Sequence, residues 1–186
     1  MTKGRMEVFS DGVLAILITL MAFGLLTPLE ALAPLWPVFL SYLLSFFYLA
    51  IYWNNHHHML HVMERIDGRI FWANTHLLFR LSLFAFQTSW MGANDFANVP
   101  TALYGLILLC AASAYWVLQW AIIRGGGIGA DWKENLSLGI YAVAIGWAFI
   151  HQAIAGTLYA LVAMNWIIPD CESKEPSSST CKIAKW

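Results

Sequence analysis

Six blocks of apolar residues, each near the length of a bilayer-spanning helix, alternate with short polar connections along this chain. They predict spans at about Val8–Thr27, Pro37–His56, Phe71–Met91, Pro100–Ile123, Leu136–Ile150 and Ala153–Ile168. The last two nearly touch at His151–Gln152 and are short enough for one kinked or re-entrant hairpin, but six spans fit the pattern better than five or four. Beyond Pro169 the apolar pattern stops. Asp170 to Trp186, with its run Glu175-Pro-Ser-Ser-Ser-Thr, is expected to be a polar, disordered tail. The expected organisation is therefore an all-α integral membrane domain over 1–169 followed by a tail over 170–186, with no internal repeat.

The first span changes character along its length. Arg5, Phe9, Ser10, Asp11 and Gly12 lead into Val13 to Leu26, which is apolar throughout except for Thr19. An ionisable group within or beside a spanning helix is expensive to place, so it meets a partner or a water-filled path. On a wheel of about 100° per residue, Ile16, Leu20 and Phe23 share one stripe. Thr19 sits beside it, Gly12 extends it, and Asp11 points almost to the opposite side. Two readings follow. The stripe is ordinary lipid-facing or core surface with Asp11 as a helix-start cap, or it is a hydrophobic constriction of a pore, with the helix lining an ion pathway.

Composition agrees with the membrane assignment: 60% of the 186 residues are hydrophobic and only 11% charged, against about 25% charged in soluble domains. A formal net charge of -1 offers no basic surplus for nucleic acid. Asp11 and Gly12 interrupt any leader-like n-region, so the first helix is expected to remain in the protein. Cytoplasmic loops are enriched in Lys and Arg. With six spans and both termini cytoplasmic, Lys3, Arg5, Arg65, Arg69, Arg124, Lys133, Lys174, Lys182 and Lys185 fall on that side, and only Arg80 does not. The outer loops, Pro28–Leu35 and Gly92–Val99, hold only Glu30 and Asp95. Cys110, Cys171 and Cys181 lack metal-type spacing, and the glycine segment after Arg124 lacks a phosphate-loop Lys-Ser/Thr.

Polar residues inside the apolar blocks are the remaining candidates. The second span ends in Trp53-Asn-Asn-His56-His57-His58-Met-Leu-His61. His57 and His61 are spaced i, i+4, which places two imidazoles on one helical face as weak metal candidates. The run also resembles one histidine box of membrane di-iron hydroxylases, but only His56, His76 and His151 remain to complete such a shell, so neither an enzyme nor a resident cofactor is expected. A simpler role is a hydrogen bond from one imidazole to Ser10 or Asp11 on the adjacent span. In the third span, Arg80 stands among Asn74, His76, Gln87 and Thr88. Near the bilayer centre an arginine costs about 2.5–3.5 kcal/mol on insertion scales, so backbone carbonyls, helix C-terminal ends or an aqueous crevice are its expected partners.

Arg5-x-x-x-Phe9-Ser10-Asp11-Gly12-Val13, followed by Ala15-Ile16 and Thr19-Leu20-Met21, resembles the signature of the TMEM175 potassium-channel family in its bacterial single-repeat form. Trp53-x-x-His56-His57 and Asn74 are similar to further family positions. The resemblance implies six-helix subunits, a homotetramer in membrane lipid, potassium and other monovalent cations as permeant ions, and a pore lined by the first helix. It implies Ile16 as the constriction, Thr19 as the filter-layer threonine, and Leu20 and Phe23 as further apolar constrictions. Arg5, Phe9, Ser10, Asp11, Trp53, His57 or His56, and Asn74 would anchor the pore helix. Two departures stand out: Ala85-Phe86-Gln87-Thr88 replaces an expected Pro-Phe-Pro-Thr, implying a straighter third helix, and Phe23 is bulkier than the expected Leu. A modestly potassium-selective channel in a prokaryotic cytoplasmic membrane is therefore expected. The alternative is a proton- or metal-coupled transporter using the His56–His61 cluster and Arg80.

Overall fold

The computed structural model describes residues 3–23, 36–61, 66–124 and 132–167, with the side chains of 61, 132–134 and 167 excepted. Its regular structure is helical: α1 (Lys3–Phe23), α2 (Trp36–His61), α3 (Gly68–Ala93), α4 (Asn98–Arg124), α5 (Trp132–Ala148) and α6 (Gln152–Ile167). Thr27, the Pro28–Leu35 loop, the glycine segment after Arg124 and the polar tail with Cys171 and Cys181 lie outside the described residues. The pair α5 and α6 is two helices joined at Phe149–His151.

Among the described residues three helices, Lys3–Phe23, Trp36–Leu60 and Asn98–Arg124, are long and apolar enough to cross a membrane. The other three depart from the expected uniform spans for different reasons. α3 has ample length, 26 residues, but carries Arg69, Asn74, His76, Arg80 and Gln87 along its course. α5 and α6 have only 17 and 16 residues, roughly 25 Å at 1.5 Å per residue against a hydrocarbon core of about 30 Å.

Packing follows the helical period. In α3 the buried positions Ile70, Asn74, Leu77, Leu81, Phe84, Thr88 and Met91 recur every three or four residues, the spacing of one helical face. Asp67 caps this helix, its Oδ1 accepting from Ile70 N at 2.8 Å. At the other end Asp95 and Phe96 adopt left-handed conformations, φ 48° and 57°, so the chain reverses directly into α4. Pro100 falls in the first turn of α4, where a missing N–H goes unnoticed.

Neighbouring helices pack in the order α1 on α2 and α3, α3 on α4, α4 on α5 and α5 on α6, with α6 returning to α2 and α4. Tyr48, Tyr104, Tyr141 and Tyr159 fill the space between α2, α4, α5 and α6. Their hydroxyls are satisfied internally: Tyr48 donates to the Tyr159 carbonyl at 2.5 Å, Tyr159 to the Thr101 carbonyl at 3.3 Å, and Tyr104 pairs with Ser45 at 3.0 Å. This layer needs Gly105, where a Cβ would collide with the Tyr159 ring and approach Ile145 Cγ1 to 2.9 Å.

Candidate functional site

One face of α1 is committed to its own chain. Met6, Ser10, Leu14, Leu17 and Met21, spaced by three or four, are buried against α2 and α3. The opposite face is bare. Val8, Gly12, Ile16, Thr19, Leu20 and Phe23 are exposed, Ile16 by 61% and Phe23 by 60%. So long an apolar row is more than an isolated soluble surface normally shows; here it faces lipid or further copies of the chain. Within the row, Thr19 Oγ1 donates to the Ala15 carbonyl at 3.0 Å, which engages the hydroxyl proton within the helix.

The buried face is fixed by a polar chain. Ser10 and Asn74 are fully buried and His56 is 3% exposed. Asn74 Nδ2 donates to Ser10 Oγ at 3.1 Å, and Asn74 Oδ1 lies 2.6 Å from His56 Nε2. With the amide oxygen toward the imidazole, the contact is a hydrogen bond when His56 carries a proton on Nε2. Three helices are thereby joined through one carboxamide. Beside this chain, Trp53 Nε1 donates to Asp11 Oδ1 at 2.9 Å. Because α1 begins at Lys3, Asp11 lies in the helix interior, where it accepts the indole proton instead of capping a helix start.

These contacts differ in detail from the sequence expectations. The imidazole does not reach Ser10 directly; Asn74 stands between them. His56 makes the buried bond, whereas His57 is exposed and its ring stacks on Trp53 with centroids 5.9 Å apart. Phe9 is 46% exposed, and Arg5 lies exposed in the first turn of α1. The His61 side chain lies outside the described residues, and among those described no three His, Cys, Asp or Glu side chains converge as a metal site would require. Arg80 finds its partner on its own helix, Nε donating to His76 Nε2 at 3.1 Å, with Cζ 6.0 Å from the Phe79 ring centroid.

Deeper in the bundle, Thr88, which the sequence marks only as one more polar residue of the third span, is a hub. The Thr88 hydroxyl faces the Phe84 carbonyl and Ser45 Oγ at 2.6 Å each and Met21 Sδ at 3.7 Å, linking α3 to α2 and the far end of α1. Thr88 follows Asn74 by four helical turns, so the face defined by Asn74 could have located it. Next to it, Gln87 replaces the expected proline and donates to the Pro100 carbonyl at 2.6 Å, and α3 runs unbroken past this point.

Comparison with known proteins gives this geometry a lineage. A family model described as the endosomal/lysosomal potassium channel TMEM175 matches residues 5–84, which span α1, α2 and the first two thirds of α3. A potassium channel of Chryseobacterium sp. (strain P1-3) is 46% identical over 182 residues, 91% of this chain and 95% of the relative. A potassium channel of Streptomyces collinus is 26% identical over 203 residues, covering 94% and 98% of the two chains. The crystal structure of a lysosomal potassium-selective channel TMEM175 homolog from Chamaesiphon minutus superposes with a TM-score of 0.76 at 26% identity, covering 89% of this chain and 96% of that one. Such relatives are channels rather than enzymes, and their match to helices of membrane-spanning length marks a multi-pass membrane protein. The chain belongs to the bacterial TMEM175 family of potassium channels.

Proposed function

We propose that the chain is one subunit of a homotetrameric, modestly potassium-selective cation channel in a bacterial cytoplasmic membrane, with α1 of each subunit lining the pore and both termini cytoplasmic. The carrying observation is the division of α1 into an anchored polar-apolar face and an uncovered apolar row. One helix cannot enclose a pore, so the row needs copies of itself around an axis. The names of the relatives support potassium as the permeant ion.

Four Ile16 side chains would form the narrowest ring, with Gly12 leaving a wider approach on one side and Leu20 and Phe23 continuing the constriction on the other. An apolar ring of that kind excludes a hydrated cation by dewetting. Passage then requires partial loss of the ion's water shell, and the ion with the lower dehydration cost passes more readily. Thr19 hydroxyls and backbone carbonyls would replace some of the lost water. Ser10, Asp11, Trp53, His56 and Asn74 hold the row in register and never meet the ion.

The test is electrical. The purified protein in planar bilayers, under opposed potassium, sodium and caesium gradients, is expected to give ohmic currents with reversal potentials nearest that of potassium. Saturable, current-free uptake, or no cation current from a tetramer, sinks the proposal.

A further inference from the structure

At the end of the bundle that carries Ser10 and His56, but on the far side of α3, a crevice of about 370 Å³ opens between the start of α3 and the end of α4. Its walls are Asp67, Arg69, Trp72 and His76 on one side and Trp120 and Arg124 on the other. At roughly 30 Å³ per water, it has room for about a dozen waters, or for a phosphodiester with its glycerol.

We propose that this crevice binds the phosphate headgroup of an anionic phospholipid, tying α3 to α4. Two arginines from different helices line the crevice, and among the described residues neither is ion-paired with a carboxylate. The acid in the wall, Asp67, has Oδ1 committed to the Ile70 amide. A guanidinium fork matches phosphate oxygens two at a time. Arg124 is already oriented for this: its Cζ lies 3.6 Å from the Trp120 ring centroid, and stacking occupies the face of the guanidinium while its N–H donors lie at the edge.

Depth favours a lipid over a free anion. Trp72 is 70% exposed and Trp120 44%, and exposed tryptophans of membrane proteins gather at headgroup level. Arg69 and Arg124 sit at that level at the helix ends, and basic pockets between spanning helices suit anionic headgroups. One turn further in, Val117 offers an apolar wall along which an acyl chain can lie.

Native mass spectrometry of the full-length protein in detergent, titrated with phosphatidylglycerol or phosphatidylcholine, tests this directly. Wild type is expected to retain phosphatidylglycerol with about tenfold preference, and millimolar inorganic phosphate should not displace it. The double variant Arg69→Gln/Arg124→Gln should lose that preference, while Arg69→Lys/Arg124→Lys should keep part of it. No headgroup preference in wild type overturns the proposal whatever the variants do, as does undiminished preference in a folded glutamine variant. Displacement by inorganic phosphate would overturn it in favour of a free-anion site. Because lipid retention is measured without current, the result does not depend on whether α1 conducts.

Discussion

His56 Nε2 lies 2.6 Å from Asn74 Oδ1 inside the bundle, and the same carboxamide reaches Ser10 on its other side. Asn74→Ala removes one side chain but orphans two buried groups. At about 1–3 kcal/mol per unsatisfied buried group, with each kcal/mol worth about 2–4 °C in a chain of this size, the melting temperature in detergent should fall by about 5 °C or more. A fall below about 1 °C would mean that water replaces the amide without loss.

The Trp53–Asp11 bond is more accessible, and its removal should matter less. Trp53→Phe keeps the ring and deletes the donor, an expected loss of at most about 1 kcal/mol. Asp11→Asn retains an acceptor oxygen and should leave stability nearly unchanged, whereas Asp11→Ala should match Trp53→Phe. Additive losses in the Trp53→Phe/Asp11→Ala double variant would show that the two side chains do not act as a pair.

Ile16→Asn is expected to raise single-channel conductance or weaken discrimination between potassium and sodium, because the amide wets a ring that isoleucine keeps dry. Ile16 is 61% exposed, so folding should be unaffected and the oligomer size unchanged. Identical currents would remove Ile16 from the conduction path.

Asp95 holds a left-handed conformation at the α3–α4 turn, φ 48°. Glycine adopts this region without the Cβ penalty, so Asp95→Gly should stabilise by roughly 0.5–1 kcal/mol, seen as melting about 2 °C higher. Lower melting would show that the aspartate side chain itself holds the turn.

Gly105→Ala should act in the opposite direction. The added Cβ meets the Tyr159 ring and Ile145, forcing α4 away from α5 and α6 at an expected cost of about 1–3 kcal/mol. The comparison is with Gly146→Ala, where open space awaits the methyl group and helix propensity should make the change neutral or favourable. Equal melting of the two variants would contradict the packing.

Six helices were legible because apolar blocks of the right length leave few other options, yet their ends were not. α1 starts at Lys3 and α2 continues to His61 because a helix does not stop where hydrophobicity stops; Met6 and Leu60 keep the buried period going into polar sequence. The choice between His56 and His57 was undecidable from residue type. The periodic run Ser45, Leu49, His56 and Leu60 decides it, since each is buried on one face of α2. Asn74 was visible as a polar residue in an apolar block, but its bridging role depends on α1 and α3 lying side by side, which no local pattern encodes. Arg80 misled for a related reason: its partner, His76, was one turn away on the same helix.

At Ser10 and Asp11 α1 makes directional bonds to α3 and α2, while its far end touches its neighbours through apolar side chains and the soft Met21–Thr88 contact. Mechanically, α1 is clamped by directional bonds near one end and held further along by Leu14, Leu17 and Met21, whose apolar packing can slide. Displacement of such a helix grows with distance from the clamp, and at 1.5 Å per residue Phe23 stands roughly 18 Å from Asp11 and Ile16 only about 7.5 Å. A small tilt therefore swings Phe23 about two and a half times as far as Ile16, without breaking a bond at the clamp.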